Sequence, residues 1–124
     1  MSQFSDDWVQ CMHGSGLPVP NVEDANEALE YVHKIHSALE NASGGEAEVT
    51  IGTLIALGAF AGVDEAVLIA LGDVAQVAAA LYISACLGCV ASVALDDLKK
   101  LFAENALPDF VVAELNDQGV ELVG

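Results

Sequence analysis

The stretch Gly72–Asp97 is GDVAQVAAALYISACLGCVASVALDD, and it contains no charged residue between Asp73 and Asp96. The whole chain of 124 residues is strongly acidic, because 19 Asp and Glu stand against 3 Lys and Arg and give a formal net charge of −16. A helix over Val74–Leu95 would be apolar on every face, and such a helix is buried in protein or in lipid. This stretch therefore predicts the centre of the fold.

The segment before it, Val49–Leu71, is VTIGTLIALGAFAGVDEAVLIAL and is nearly as apolar, because only Asp64 and Glu65 interrupt it. As helices the two segments would each be about 33 Å long, which is close to the thickness of a bilayer core. A single Gly-Asp pair separates them, so the pattern predicts a helical hairpin. Gly62 is a candidate end and Asp64 a candidate cap for a break inside the first segment.

Two acidic helices are predicted before the hairpin. Ser5 is followed by two Asp, which is typical of a helix start, and Gly14 would end this helix. Asn21 is a candidate cap for a second, amphipathic helix. The apolar residues of that helix follow helical spacing and predict its buried face: Ala25, Leu29, Val32, Ile35 and Leu39.

Two further helices are predicted after the hairpin. Asp96 and Asp97 would begin a polar helix that ends near Asn105. Asp109–Asp117 is expected to be a last short helix, closed by Gly119.

These elements predict an all-α fold, a small bundle of five to seven helices around a central apolar hairpin rich in Gly and Ala. The length of the chain predicts one domain over residues 1–124. Within this domain the acidic N-terminal helices are expected in residues 1–45, the hydrophobic hairpin in residues 46–95, and the C-terminal helices and tail in residues 96–124.

Small residues spaced by four form a stripe along the second apolar segment, and two glycines repeat that spacing in the first. A stripe of this kind lets helix backbones approach closely, both in membranes and in soluble bundles. It therefore predicts the packing contact of the hairpin. The residues concerned are Gly58, Gly62, Ala80, Ser84, Gly88 and Ser92.

Three carboxylates, Asp64, Glu65 and Asp73, would oppose entry of the hairpin into lipid while they are ionised. On a membrane-insertion scale a central Asp costs about 2.5–3.5 kcal/mol. Because free carboxyl groups take up protons near pH 4, these residues are predicted to act as a charge switch that acid releases. Lys99 and Lys100 follow the second segment directly, and they would keep that end of a spanning hairpin on the cytoplasmic side.

The arrangement of Val49–Leu71 and Val74–Leu95 resembles the hydrophobic helical hairpin of colicin-type pore-forming bacterial toxins. In that family two apolar helices are hidden inside a soluble helical bundle and later enter a membrane. The resemblance covers under half of the chain and lies in the arrangement rather than in a motif. Colicin pore domains have more helices to shelter their hairpin, so this chain is expected to need a lipid bilayer, a homo-oligomer or a carrier to cover its apolar surface.

The three cysteines are odd in number, so no disulfide framework is expected, and Cys86 and Cys89 are interpreted as buried thiols. Together with Cys11 and the pair His33 and His36, they could in principle form a zinc site. A CxxC inside an apolar helix is atypical of zinc ligands, however, so no metal site and no cofactor is predicted.

No motif in the chain predicts catalysis. The sequence has neither a GxSxG nucleophile motif nor a GxxxxGK phosphate loop, so no catalytic residue is predicted and the protein is expected not to be an enzyme. Nucleic acid is not an expected partner either, because binding its phosphates requires Lys and Arg.

Three functions remain open from the sequence. The favoured hypothesis is a non-enzymatic, membrane-active protein of bacterial competition, a pore-forming effector or bacteriocin-like protein that inserts its hairpin into a lipid bilayer. The first alternative is an acidic immunity or inhibitor protein that neutralises a basic toxin partner. The second alternative is a structural or adaptor bundle. The N-terminal MSQFSDDW lacks the pattern of a secretory signal, so cytoplasmic synthesis is expected, with export and membrane insertion as later steps.

Overall fold

Apolar residues at helical spacing produce an all-helical architecture in this computed structural model, which describes residues 3–43 and 49–123. The described part of the chain contains six helices and no strand, so the predicted all-α bundle is confirmed. The helices are α1 (Gln3–Gly14), α2 (Ala25–Ser43), α3 (Ile51–Ala56), α4 (Glu65–Asp73), α5 (Ala79–Ala103) and α6 (Asp109–Asp117).

Helix α5 lies at the centre of the bundle and packs against α1, α2 and α6. It coincides with much of the uncharged stretch, but it begins at Ala79 rather than near Val74. The chain does not end this helix before Asp96 either, and α5 continues to Ala103 across a kink at Ala94, where φ is −139° and ψ is 45°. The non-helical backbone at Ala94 separates two helical parts of α5, so the predicted start of a polar helix at Asp96 lies two residues from the observed break.

The prediction of a second long apolar helix over Val49–Leu71 is wrong. This segment folds as the short helices α3 and α4, joined by a turn in which Gly58 and Gly62 have φ values of +80° and +86°. Such left-handed backbone suits glycine and ends a helix. The Asp64 side chain then accepts a hydrogen bond from the amide of Ala66 at 2.9 Å and caps α4, as its position predicted. Local stop and cap signals outweigh the apolar composition here.

The starts of the first two helices differ from the predicted caps. Helix α1 already includes Ser5, whose buried hydroxyl accepts a hydrogen bond from the Val22 amide at 3.3 Å and donates to the side chain of Asn21. Asn21 therefore does not cap α2. Asp24 takes that role, because its side chain accepts a hydrogen bond from the Glu27 amide at 3.0 Å.

Several predicted features of the outer helices are confirmed. All five apolar residues assigned to the inner face of α2 are buried. Helix α6 has the bounds predicted for the last helix, Asp109–Asp117, and Gly119 follows it with a φ of +82°. The polar part of α5 ends before Asn105, which has a φ of +56°.

A disulfide bond joins Cys11 on α1 to Cys89 on α5, so the expectation of no disulfide is wrong. The two residues are 78 positions apart in the chain, but the packing of α1 on α5 brings their Cα atoms to 5.8 Å. Three cysteines can form one disulfide bond and leave one thiol free, so their odd number does not exclude a single bond. The remaining thiol is Cys86, which is free and fully buried, as predicted.

Candidate functional site

The inner face of α5 is held by paired polar groups. The indole N–H of Trp8 donates a hydrogen bond to the backbone carbonyl of Cys86 at 3.2 Å. The Tyr82 hydroxyl donates to the Pro18 carbonyl at 2.7 Å and lies 2.8 Å from the Tyr31 hydroxyl, which therefore acts as the donor of that pair. Because these buried polar groups all have hydrogen-bond partners, directional hydrogen bonds as well as apolar contacts hold this face of α5 in place.

Burial strongly raises the pKa of three groups along this face. The pKa values of Tyr31, Tyr82 and the Cys86 thiol all rise above their ordinary values, chiefly because removal from water disfavours the charged form. All three groups stay protonated at neutral pH. The Cys86 thiol is consequently a poor nucleophile, because reactivity requires the thiolate.

The small-residue stripe on α5 faces the C-terminal segment of the bundle. The amide nitrogen of the Gln118 side chain donates hydrogen bonds to the backbone carbonyl and the hydroxyl of Ser84, at 2.9 and 3.1 Å. A Cβ atom on Gly88 would lie 2.8 Å from the Oε1 atom of Gln118. Ala80 and Ser92, at the two ends of the stripe, line shallow clefts beside Phe110 on α6 and beside the tail, respectively.

The two glycines of the first segment do not extend this stripe. Gly58 and Gly62 are exposed residues of the turn between α3 and α4, so their predicted place on a continuous helix is wrong. Their spacing by four is a property of the turn, in which both adopt left-handed backbone. The close contact of this region is made instead by Gly52, where an added Cβ would lie 3.0 Å from the Cβ of Ala75.

The predicted charge-switch residues are exposed and mark the two ends of α4. Asp64 and Glu65 stand at the start of this helix, and Asp73 is its last residue. The residues between them, Ala66–Gly72, are uncharged and, apart from the glycine, apolar. The structure thus brings the three carboxylates to one short helix and leaves an apolar surface between them.

Helix α4 leaves part of its apolar surface in water. Leu71 is its one buried residue, while the side chain of Ile69 is 64% exposed. Leu57 before this helix and Leu81 after it are 62% and 60% exposed. Val67 and Leu68 are half-buried and pack against the core, so the exposed apolar surface of α4 is formed by Ala66 and Ile69. We refer to residues 49–78, which contain α3 and α4, as the α3–α4 lobe.

The α3–α4 lobe is closed by hydrogen bonds of its own backbone, and its helix α3 packs against α2 and α5. The amide of Gly52 donates to the Ala75 carbonyl and that of Ala79 to the Val49 carbonyl, at 2.9 and 2.8 Å. Lys34 on α2 donates from its ammonium group to the Ala61 carbonyl at 2.7 Å. This contact was not predicted, because the sequence gives no signal for a basic side chain that meets a distant turn.

One helix in the described residues, α5, has the length and apolar composition of a membrane span. In its most apolar stretch, 44% of the residues are buried inside the bundle. The central helix of a soluble bundle meets the same criteria, so these properties alone do not indicate a membrane protein.

The histidine pair lies on the side of α2 that faces Phe110, where His33 is exposed and His36 is half-buried. His36 stacks on Phe110 with ring centroids 3.8 Å apart, and its Nε2 atom is 3.4 Å from a carboxylate oxygen of Glu40. His33 also contacts the Phe110 ring, at 5.9 Å. Among the described residues, no cluster of three or more His, Cys, Asp and Glu side chains could hold a metal ion. Cys11 and Cys89, bonded to each other, are not thiolate ligands.

No protein-family model, no curated protein and no solved structure matches this chain. The resemblance to colicin-type toxins therefore stays a prediction, with its argument in the residues of this chain alone.

Proposed function

We propose that this protein is non-enzymatic and membrane-active, and that it passes from a soluble bundle into a lipid bilayer to permeabilise it. The α3–α4 lobe makes the first contact with lipid, and α5 is the helix that spans. The observation that carries the proposal is the exposed apolar surface of α4, which its own bundle leaves in water.

The energetics favour lipid as the medium that covers this surface. Removing one exposed Leu or Ile side chain from water gains about 1.5–3 kcal/mol. Leu57, Ile69 and Leu81 are 62%, 64% and 60% exposed, so part of that gain is available at each of them. The opposing charges lie at the ends of α4 rather than along it, and acid neutralises carboxylates, so insertion becomes more favourable as the pH falls.

The rest of the chain suits a protein stored in water before it meets a membrane. Its acidic surface keeps an otherwise apolar chain soluble. Lys99 and Lys100 lie close to the end of α5, where they would anchor a spanning helix on the cytoplasmic side. The disulfide supports export after cytoplasmic synthesis, because such bonds persist in oxidising compartments. The setting in bacterial competition is part of the proposal and derives from the toxin resemblance.

Dye release from phosphatidylcholine vesicles between pH 4 and pH 7 tests this function. We expect release to increase towards pH 4 and to fall by about tenfold in Ile69→Gln and in Leu57→Gln, since each change removes apolar contact with lipid. Val123→Gln is the matched control, because Val123 is 77% exposed but lies outside the lobe. Absence of release over this whole pH range, from the oxidised and from the reduced protein, would reject the proposal.

A second candidate function is that of an acidic inhibitor of a basic protein. It is supported by the exposed face of α2, where Glu27, Glu30 and Glu40 point to water. With three basic residues in the chain, most of its carboxylates have no basic partner. Such a surface would bind a basic protein with an affinity that falls steeply with salt, as a binding measurement at low and high ionic strength would reveal. Charge reversal at Glu27 and Glu30 would then abolish binding without changing dye release.

A further inference from the structure

We infer that the Cys11–Cys89 disulfide is a latch that keeps α5 in the soluble bundle, and that its reduction by an external thiol permits α5 to enter a membrane. The inference rests on the proposed function and adds its regulation. It starts from the position of the bond, which attaches α1 to the apolar part of the one helix long enough to span.

The bond prevents α5 from entering lipid alone. Cys89 lies within the uncharged stretch, so it would be deep in the bilayer if α5 spanned. Its Cα atom is held 5.8 Å from that of Cys11, so α1 would have to follow. Helix α1 carries Asp6 and Asp7, and ionised side chains near the bilayer centre are costly. The oxidised protein must therefore keep α5 in the bundle or bring charged residues into lipid.

Without the bond, α1 is held by reversible contacts. Trp8 and Met12 are fully buried, and the indole N–H of Trp8 bonds the Cys86 carbonyl. These contacts keep the reduced bundle folded in water, but they can open and close. A membrane that binds the open state shifts the population towards it. Reduction is thus expected to permit insertion rather than to unfold the protein.

The chemistry is thiol–disulfide exchange with a small-molecule or protein dithiol. One thiolate of the reductant attacks the Cys11 sulfur, which belongs to the less buried partner. The sulfur–sulfur bond breaks, Cys89 leaves as a thiolate and takes up a proton, and the second thiol of the reductant displaces Cys11. The products are two protein thiols and one oxidised reductant. Cys86 takes no part, because burial keeps its thiol protonated.

Dye release from phosphatidylcholine vesicles at low pH tests the latch, with oxidised protein compared to protein reduced beforehand by dithiothreitol. We expect the reduced form to release dye at least about tenfold faster, which corresponds to about 1.4 kcal/mol in the barrier. The double variant Cys11→Ser with Cys89→Ser is expected to match the reduced form and to be indifferent to dithiothreitol. Circular dichroism before addition of vesicles verifies that each form is folded.

Trp8 gives a second readout that does not depend on the variants folding. As the single tryptophan of the chain, it reports whether α1 leaves α5. Its emission should shift to longer wavelength when vesicles meet the reduced protein and stay unchanged with the oxidised protein. Equal release rates and equal emission in both redox states would overturn the latch and leave membrane activity standing. Absence of release from every form would overturn both proposals.

Discussion

The interior around α5 and the α3–α4 lobe are built from similar apolar residues, but they are covered to very different extents. Between α1, α2 and α5, Trp8, Val32 and Tyr82 are fully buried, and a disulfide closes the contact. In the lobe, α4 buries Leu71 and leaves Ile69 in water. Helices α1, α2 and α6 lie against α5, whereas α4 packs mainly on the short helix α3. Burial in this protein therefore depends on the available partner helices and not on apolarity alone.

The largest expected difference between the two regions is a response to alkali, which only the interior should show. Burial raises the pKa values of Tyr31, Tyr82 and Cys86, so they ionise in the unfolded chain, at ordinary values of 10.0 for Tyr and 9.0 for Cys, before they ionise in the folded one. The contribution of these three protonated groups to the free energy of unfolding is fully present below pH 9, and it is lost as the pH rises. The free energy of unfolding should fall with a slope that steepens above pH 9 and approaches about 4 kcal/mol per pH unit above about pH 11, at about 1.36 kcal/mol for each group.

Urea unfolding at a series of pH values measures this slope, and ultraviolet absorbance follows the tyrosines directly. Because the chain has two tyrosines, both in the interior, the tyrosinate signal should rise together with the loss of helix. A tyrosinate transition near pH 10 in a protein that is still helical would show that the interior is open to water.

Truncation of the tryptophan is the next largest effect. Trp8 is fully buried and contacts the rings of Phe4 and Tyr31, so Trp8→Ala should lower the free energy of unfolding by about 3–5 kcal/mol. Trp8→Phe keeps an aromatic ring and loses the hydrogen bond to the Cys86 carbonyl, so it should cost about 1–2 kcal/mol. Chemical denaturation of the oxidised proteins measures both. Equal costs for the two variants would contradict the buried packing of the indole.

Within α4, two neighbouring apolar residues offer a matched pair. Leu71→Ala should cost about 2–4 kcal/mol, because it removes the one buried side chain of this helix. Ile69→Ala should change stability by less than about 0.5 kcal/mol, because the side chain is already in water. A large cost for Ile69→Ala in urea unfolding would mean that another surface, such as a second copy of the chain, covers α4 in solution.

Two glycines in different surroundings offer a second matched pair, with smaller expected costs than the truncation of Leu71. Gly52→Ala should cost about 1–3 kcal/mol, because the new methyl would press on the backbone and Cβ of Ala75 inside the lobe. Gly88→Ala meets the flexible end of Gln118, and the gain of about 1 kcal/mol in helix propensity offsets the disturbed hydrogen bonds to Ser84. Thermal unfolding of the two variants should therefore differ clearly. A larger cost at Gly88 would show that the stripe packs more tightly than the lobe.

Local signals in the sequence predicted the outer helices well. The inner face of α2 and the bounds of α6 follow from apolar spacing, an acidic first turn and a closing glycine. The cap at Asp64 was identified for the same reason. Each of these features depends on residues within a few positions of one another, so the chain itself contains the necessary information.

The features that were not predicted depend on contacts between distant segments. Nothing near Val74 in the sequence indicates that α5 begins only at Ala79, where the backbone pairs with Val49. The bond between Cys11 and Cys89 requires two helices to meet, and the parity of the cysteines does not reveal it. Likewise, the apolar composition of α4 does not indicate whether another helix will cover it.

The free thiol of Cys86 can report how often the core of this protein opens to solvent. In the oxidised chain Cys86 is the one free cysteine of three, and it lies at the centre of the interior. A maleimide can reach it only during the moments when the core admits solvent. The rate of its alkylation, followed by mass spectrometry, therefore measures the frequency of core opening. No engineered label is needed, and the measurement works both in water and on vesicles.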